Sequence, residues 1–193
     1  MGRKELRLVV VLSVISILAG GVLAWVSSLT DPRIQAQAEL KKKAALQEVL
    51  PDAFAFQPDE VLLEKAHTAG YRDLVESYLG YQDTNQVGLV FVADVKGYSS
   101  TVRLSIGVSM DGRLSGIKVI SQAETPGLGA KITESDFLEQ PAFREATIND
   151  QLAVQKDRGR VDAVTGATIS SRAVVRGVNQ ALAAAKLFLA EAL

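Results

Sequence analysis

The sequence predicts an α+β protein in which an N-terminal transmembrane helix precedes one domain with a mostly antiparallel sheet and flanking helices. Three observations support this fold class. Residues 8–29 are apolar and uncharged, residues 101–110 alternate strictly between apolar and polar, and apolar residues recur at helical spacing from residue 170 onward. Strands and helices are mixed without a repeating strand–helix–strand unit, which favours an antiparallel sheet over a parallel one.

Composition limits the chemistry that the chain can perform. Its 193 residues include no cysteine and a single histidine, His67. Disulfides, iron–sulfur clusters held by thiolates, attached c-type haem and cysteine-rich zinc sites are therefore excluded, and a Ser-His-Asp triad is disfavoured. A net charge of −1 leaves no basic surplus for phosphate contacts, so nucleic acid is not expected as a partner. If the protein transfers electrons, an organic cofactor must carry them.

The apolar run from Leu8 to Leu29 predicts a membrane anchor. As a helix its 22 residues span about 33 Å, against a hydrocarbon core of about 30 Å. Arg3, Lys4 and Arg7 precede the run, and the next basic residue is Arg33, so residues 1–7 are expected in the cytoplasm. The sequence therefore predicts a single pass through the cell (inner) membrane, in contact with membrane lipid, and a main domain on the extracytoplasmic side.

A cleaved signal peptide is the competing interpretation of this run. Val22-Leu23-Ala24 is an acceptable cleavage pattern of small residues, preceded by a glycine pair. The retained anchor is favoured because the apolar run continues past that site. Both interpretations place the main domain in the same compartment.

The anchor is expected to stop or bend at Asp31-Pro32, because a residue before proline avoids helical angles. A further helix is predicted over residues 33–50, with Pro51 as its stop. Residues 30–86 are assigned to a helical linker and the N-terminal part of the outer domain, although residues 52–86 carry no clear pattern. The principal domain is predicted over residues 87–193.

An antiparallel hairpin is the clearest local prediction. Residues 87–95 form an apolar run typical of a buried strand, which Lys96-Gly97 ends. The alternation over residues 101–110 predicts a strand with one buried face. Asp111-Gly112 tolerates positive φ in a tight turn, and residues 113–121 form the returning strand.

The C-terminal third is predicted to be mainly helical. Residues 134–145 favour one or two short helical turns around Pro141, and residues 161–164 favour an extended segment. A long helix is expected from Ser170 onward. Its apolar residues recur every three or four positions: Val174, Val178, Leu182, Ala185 and Leu189.

The first motif of chemical interest is the run from Asp162 to Thr168, of sequence Asp-Ala-Val-Thr-Gly-Ala-Thr, where an extended segment meets the final helix. One interpretation is a helix cap, in which Thr168, Ser170 or Ser171 bonds the first free amides. The other is a phosphate site, because small residues let the backbone approach an anion and a helix start offers free amides. Spacing alone favours the cap. The run is not a Walker loop, since the lysine and the glycine spacing are missing.

The second motif is the run from Glu124 to Gly129, of sequence Glu-Thr-Pro-Gly-Leu-Gly, followed by Lys131. A simple turn centred on proline and glycine explains it. A loop shaped to meet a flat ring also explains it, because glycine permits close approach and Leu128 offers an apolar surface. In that case Thr125 can bond ring heteroatoms, and Lys131 can stabilise negative charge on the ring.

These two motifs, together with the anchor, Gly97-Tyr98 and the hairpin, resemble the G subunit of the Rnf ion-translocating electron-transport complex. More broadly, the chain is similar to the FMN-binding domain shared with the C subunit of the sodium-pumping NADH:quinone reductase. The resemblance implies that a separate flavin transferase joins the phosphate of FMN to Thr168 through a phosphoester, and that it recognises Asp162. It further implies cofactor-binding roles for Glu124, Thr125, Gly127, Leu128, Lys131, Thr165, Gly166 and Ala167. Ser99-Ser100 departs from the glycines that follow Gly97-Tyr98 in the family.

The resemblance implies an electron-carrier subunit, with other subunits of a membrane redox complex as partners. Such a complex couples electron transfer between ferredoxin and NAD(H) to sodium or proton translocation, and this subunit needs no catalytic residue or metal of its own. A stand-alone, membrane-tethered extracytoplasmic flavoprotein reductase or electron shuttle shares every site prediction. A non-redox anchored scaffold is the third possibility.

Overall fold

The computed structural model describes residues 2–191. Met1, in the predicted cytoplasmic N-terminus, and residues 192–193, in the predicted outer domain, lie outside the described residues. The chain divides into two compact units, Met1–Lys41 and Lys42–Leu193. Helix α1, Arg3–Val49, supplies the first unit and contributes its last turns to the second.

The first unit carries the apolar helix that the sequence predicts. Within α1, Val10–Thr30 is long and apolar enough to cross a membrane, and none of that window is buried. Of the predicted stop or bend at residues 31–32, the stop is wrong, because α1 continues through them, and the bend stays a prediction. Proline removes one backbone hydrogen bond from a helix, and α1 extends over 47 residues despite it.

The second unit is built on a five-stranded sheet in which every neighbouring pair is antiparallel and the strand order follows the chain. The predicted hairpin is present, and Gly112 adopts a φ of 79° at its turn. The sheet also includes strands from the region 52–86, for which the sequence predicted no elements. The strands are β1 Ala55–Pro58, β2 Leu74–Gln82, β3 Asn85–Lys96, β4 Thr101–Ser109 and β5 Leu114–Ser121.

Helices and short turns complete the second unit. Helix α2, Glu60–Thr68, begins at Asp59, whose side chain accepts a hydrogen bond from the Leu62 amide. The two predicted helical turns are α3, Ser135–Leu138, and α4, Pro141–Arg144. The final helix α5, Thr168–Glu191, begins two residues earlier than predicted.

The main core lies between α5 and one face of the sheet. All five apolar residues that predict the helix are buried, and four of them, Val174, Val178, Leu182 and Ala185, pack in this core with strand residues such as Phe91, Leu104 and Ile106. The α5 segment Thr168–Ala190 also has the length and composition of a membrane span, but 56% of that window is buried within the domain. Helix α5 is therefore a core helix of the second unit.

The end of α1 covers the opposite face of the sheet, where Val49 and Leu50 pack with Val90 and Val92. A Cβ atom on Gly107 would lie 2.2 Å from the Val49 carbonyl oxygen, so the helix end rests directly on the strand backbone. The prediction of one buried face for residues 101–110 is therefore wrong at its centre, where Ser105 and Gly107 are buried as well. Small residues occupy these positions because the end of α1 packs directly on this face of the strand. The alternation in the sequence therefore does not mark a face exposed to water.

Candidate functional site

Three chain segments meet at one end of the sheet and enclose a cavity of about 420 Å³. They are the turn between β3 and β4, the loop that follows β5 and the first residues of α5. A fourth segment, the short helical turn Gln155–Asp157, contributes one lysine. The lining residues are Tyr98, Glu124, Thr125, Leu128, Gly129, Lys156, Gly166, Ala167, Thr168, Ile169 and Ser170.

The cavity unites most residues of the two motifs. Six of the predicted site residues line it, namely Glu124, Thr125, Leu128, Gly166, Ala167 and Thr168, whereas Gly127, Lys131, Asp162 and Thr165 do not. Lys156, Ile169 and Ser170 also line it, and the sequence assigned none of them a cofactor contact. Ile169 and Ser170 adjoin the motif, but Lys156 carries no local signal that singles it out.

Glu124 links the three segments by hydrogen bonds. Its side chain is buried, with 5% of the residue exposed, and Oε1 accepts hydrogen bonds from the amides of Ser99 and Ser100 at 3.0 and 2.9 Å. Oε2 accepts from the Tyr98 amide at 3.2 Å and from the Ser170 hydroxyl at 2.5 Å. One carboxylate therefore joins the β3–β4 turn, the loop after β5 and the start of α5.

This arrangement keeps Glu124 ionised. Burial raises the pKa of its carboxyl, but the hydrogen bonds from the Ser170 hydroxyl and from the amides of Ser100, Ser99 and Tyr98 outweigh burial, so that the net pKa is lowered. Five donors of the protein, including the Ser100 hydroxyl, already occupy the two carboxylate oxygens. Glu124 therefore positions the cavity wall.

At the start of α5, Ser171 and Thr168 make different hydrogen bonds. Ser171 Oγ accepts a hydrogen bond from the Val164 amide and donates one to the Ala167 carbonyl, both at 3.0 Å. Thr168 Oγ1 instead accepts a hydrogen bond from Lys156 Nζ at 3.1 Å. The Ser171 hydroxyl thus fixes the turn that precedes α5, the capping of the first helix amides stays a prediction, and the Thr168 side chain borders the cavity.

The two motifs touch at their glycine turns. Gly166 adopts a φ of 77°, which side chains rarely tolerate, and a Cβ atom there would lie 3.0 Å from Leu128 Cδ2. The turn before α5 thus packs against the loop after β5. This contact brings Leu128 and Thr168 to the same cavity although they lie far apart in sequence.

Apolar side chains stand exposed around the cavity. Tyr98, Leu128 and Ile169 line it with 68%, 46% and 49% of their surfaces exposed. Pockets for small ligands are commonly about 300–1,000 Å³ and mostly apolar, with a few polar groups. An apolar rim, several hydroxyls and the free amides of a helix start fit a flat ring that carries a phosphate.

A larger groove of about 1270 Å³ runs along the outer side of α5 and shares only Ile169 with this cavity. Two of its arginines are already engaged, Arg172 with Asp157 and Arg176 with Asp73. Within residues 2–191, no group of three or more histidine or acidic side chains is arranged to hold a metal ion. The smaller cavity is the stronger candidate site, because residues of both motifs line it.

Comparison with known proteins gives two family matches. Residues 97–183 match the FMN-binding domain, and residues 1–49 match the RnfG N-terminal region. Every residue that lines the cavity falls within the first of these matches.

Individual relatives align over nearly the whole chain. The G subunit of the ion-translocating oxidoreductase complex of Methanosarcina acetivorans is 34% identical, over 93% of this chain and 94% of its own. The G subunit of the Na(+)-translocating ferredoxin:NAD(+) oxidoreductase complex of Acetobacterium woodii is 32% identical, over 91% and 89%. Among solved structures, the C subunit of the Na(+)-translocating NADH-quinone reductase of Parabacteroides distasonis is 21% identical over 81% of this chain and 95% of its own, with a TM-score of 0.49.

Proposed function

This chain belongs to the family of G subunits of ion-translocating oxidoreductase complexes, and we propose that it carries electrons for such a complex on FMN joined to Thr168 by a phosphoester. It is an electron-transport subunit with an FMN-binding domain. One observation carries the finer proposal. The Thr168 hydroxyl borders the cavity at the first turn of a 24-residue helix and accepts a hydrogen bond from the Lys156 ammonium.

The residues around Thr168 suit the two ends of FMN. A phosphodiester keeps one negative charge, which the amides and the dipole at the start of α5 stabilise. Leu128, Ile169 and Tyr98 offer apolar surface to the ring, and Thr125 offers a hydroxyl beside it. When bound, FMN supplies one- and two-electron transfer, while the protein contributes position, dipoles and charge.

Asp162 is the proposed recognition residue for the flavin transferase. It lies outside the cavity and is exposed, while its backbone is held on both sides by Gln140. The Asp162 amide donates to Gln140 Oε1 at 2.7 Å, and Gln140 Nε2 donates to the Asp162 carbonyl at 3.3 Å. An exposed carboxylate on a fixed backbone is accessible to a second protein.

The apolar part of α1 supports the proposed location. We assign Val10–Thr30 to a single membrane pass in contact with lipid, with residues 2–7 in the cytoplasm and the FMN-binding domain on the extracytoplasmic side. A covalent bond then retains the cofactor in a compartment where free flavin is scarce. The partners are other subunits of the complex, whose coupled reaction is electron transfer between ferredoxin and NAD(H) with sodium or proton translocation.

Gentle detergent extraction tests this function. We expect the full-length protein, produced in cells that contain the flavin transferase, to be yellow and to co-purify with integral membrane subunits. A yellow protein that purifies alone favours a stand-alone flavoprotein reductase or shuttle. A colourless protein contradicts the redox function and leaves an anchored scaffold.

A further inference from the structure

The loop from Val154 to Val161 is held in one conformation beside α5. Val154 and Val161 form an isolated parallel bridge, and the Gln155 amide donates to the Val161 carbonyl at 2.9 Å. The turn requires Gly159, because a Cβ atom there would lie 1.9 Å from the Ala153 carbonyl oxygen. The backbone that carries Lys156 is therefore fixed by local bonds.

An ion pair ties this loop to the first turns of α5. Arg172 Nε and Nη2 donate to the two carboxylate oxygens of Asp157 at 2.8 and 2.6 Å. Paired bonds of this kind fix orientation as well as distance. Because Asp157 follows Lys156 and Arg172 lies one turn after Thr168, the pair holds Lys156 over the helix start.

Lys156 brings positive charge to the Thr168 oxygen. Its Nζ lies 3.1 Å from Thr168 Oγ1. Among the described residues that line the cavity, it is the only cation, and Glu124 is the only carboxylate. A lysine ammonium acts as a compact point charge with three donors, which suits the oxygens of a phosphate.

We propose that Lys156 is a binding residue for the phosphate of the cofactor, holding it against the start of α5 through its ammonium group. This inference rests on the proposed function, since it assumes FMN on Thr168. Once Thr168 Oγ1 belongs to an ester, the non-bridging phosphate oxygens lie two bonds beyond it, within reach of the flexible lysine side chain whose Nζ now lies 3.1 Å from Oγ1. Lys131, which the resemblance assigned to the site, does not line the cavity.

The test uses full-length holoprotein in detergent, with FMN attachment verified by mass. Lys156→Gln removes the charge, Lys156→Arg keeps it, and Arg158→Gln removes a charge from the same loop outside the cavity. Two signals are measured: the ³¹P resonance of the attached phosphodiester and the fraction of flavin that rotates freely in time-resolved anisotropy. We expect Lys156→Gln to shift the resonance and to raise the free fraction roughly two- to fivefold, the size of one exposed charged contact.

The controls separate this inference from the function itself. Lys156→Arg and Arg158→Gln are expected to keep both signals close to wild type, because each retains a cation beside the phosphate. A flavin-loaded Lys156→Gln protein that matches wild type overturns the role of Lys156 and leaves the proposed function intact. Equal changes in Lys156→Gln and Arg158→Gln overturn it too, because the effect is then one of general charge. A wild-type protein without FMN overturns both proposals.

Discussion

A Thr168→Ala variant is expected to lose all covalently bound flavin while it keeps its fold. The substitution removes the only hydroxyl that the proposal uses as the attachment point. It costs little stability, because the hydrogen bonds that fix the turn before α5, from the Val164 amide and to the Ala167 carbonyl, are made by Ser171. Surface substitutions of this kind usually change the free energy of unfolding by about 0.5 kcal/mol or less. In-gel flavin fluorescence after denaturation, on full-length protein made beside the transferase, measures the loss.

Thr133→Ala is the matched control for this variant. Thr133 is an exposed threonine outside the cavity whose hydroxyl donates to the Ala130 carbonyl at 2.9 Å. We expect this control to keep full fluorescence. If fluorescence persists in Thr168→Ala, FMN is attached to another hydroxyl. Thr165 is then the next residue to substitute.

A Glu124→Gln variant is expected to lower the stability of the FMN-binding domain and to loosen the site. The amide keeps the size of the side chain but replaces one acceptor oxygen with a donor, in a place where two oxygens accept five hydrogen bonds. Hydrogen bonds to charged groups contribute roughly 1.5–3 kcal/mol, and an unmet buried amide adds a penalty. For a protein of this size, the melting temperature should fall by roughly 5–10 °C.

The pH dependence of stability gives a second measurement on Glu124. Its pKa in the folded protein lies below the usual value of 4.5, so its contribution to the unfolding free energy is complete above that value and is lost as the pH falls through the folded pKa. The difference in melting temperature between wild type and Glu124→Gln should be constant from neutral pH to about pH 5 and narrow below it. Glu145→Gln, at an exposed glutamate, is expected to match wild type throughout. Equal melting curves for wild type and Glu124→Gln contradict the positioning role.

Local patterns predicted the parts of the fold that depend on neighbouring residues. The β4–β5 hairpin follows from strict alternation and from an Asp-Gly turn, and α5 follows from apolar residues at helical spacing. In α5 four of the five residues that the pattern selects pack in the main core.

The missed strands show where such patterns fail. In β2 the buried residues are Leu74, Ser77 and Gly80, every third position. A register shift separates Leu74 from Glu76, and Gly80 is buried from the other face, where a Cβ atom would lie 2.4 Å from Leu50 Cδ2. A search for alternating residues cannot detect such a strand. The same limit applies to the sheet face under α1, where the nearness of Val49 decides the burial of Gly107.

The cavity was predictable only through its motifs. Glu124 and Thr168 each lie in a short run of glycine, threonine and small residues, and the resemblance joins the two runs. Lys156 lies 12 residues before Thr168 in a charged loop that resembles ordinary surface, and only the folded chain brings its ammonium to the hydroxyl. A tertiary contact brings Lys156 to the cavity, and no residue spacing in the sequence predicts that contact.

Peptide mass spectrometry examines the proposed bond most directly. Full-length protein is produced beside the flavin transferase, digested, and the peptide that contains Thr168 is sequenced in the spectrometer. We expect the added mass of an FMN phosphoester on Thr168 and on no other residue of that peptide. An unmodified Thr168 in protein that still supports electron transfer by its complex contradicts covalent attachment at the start of α5.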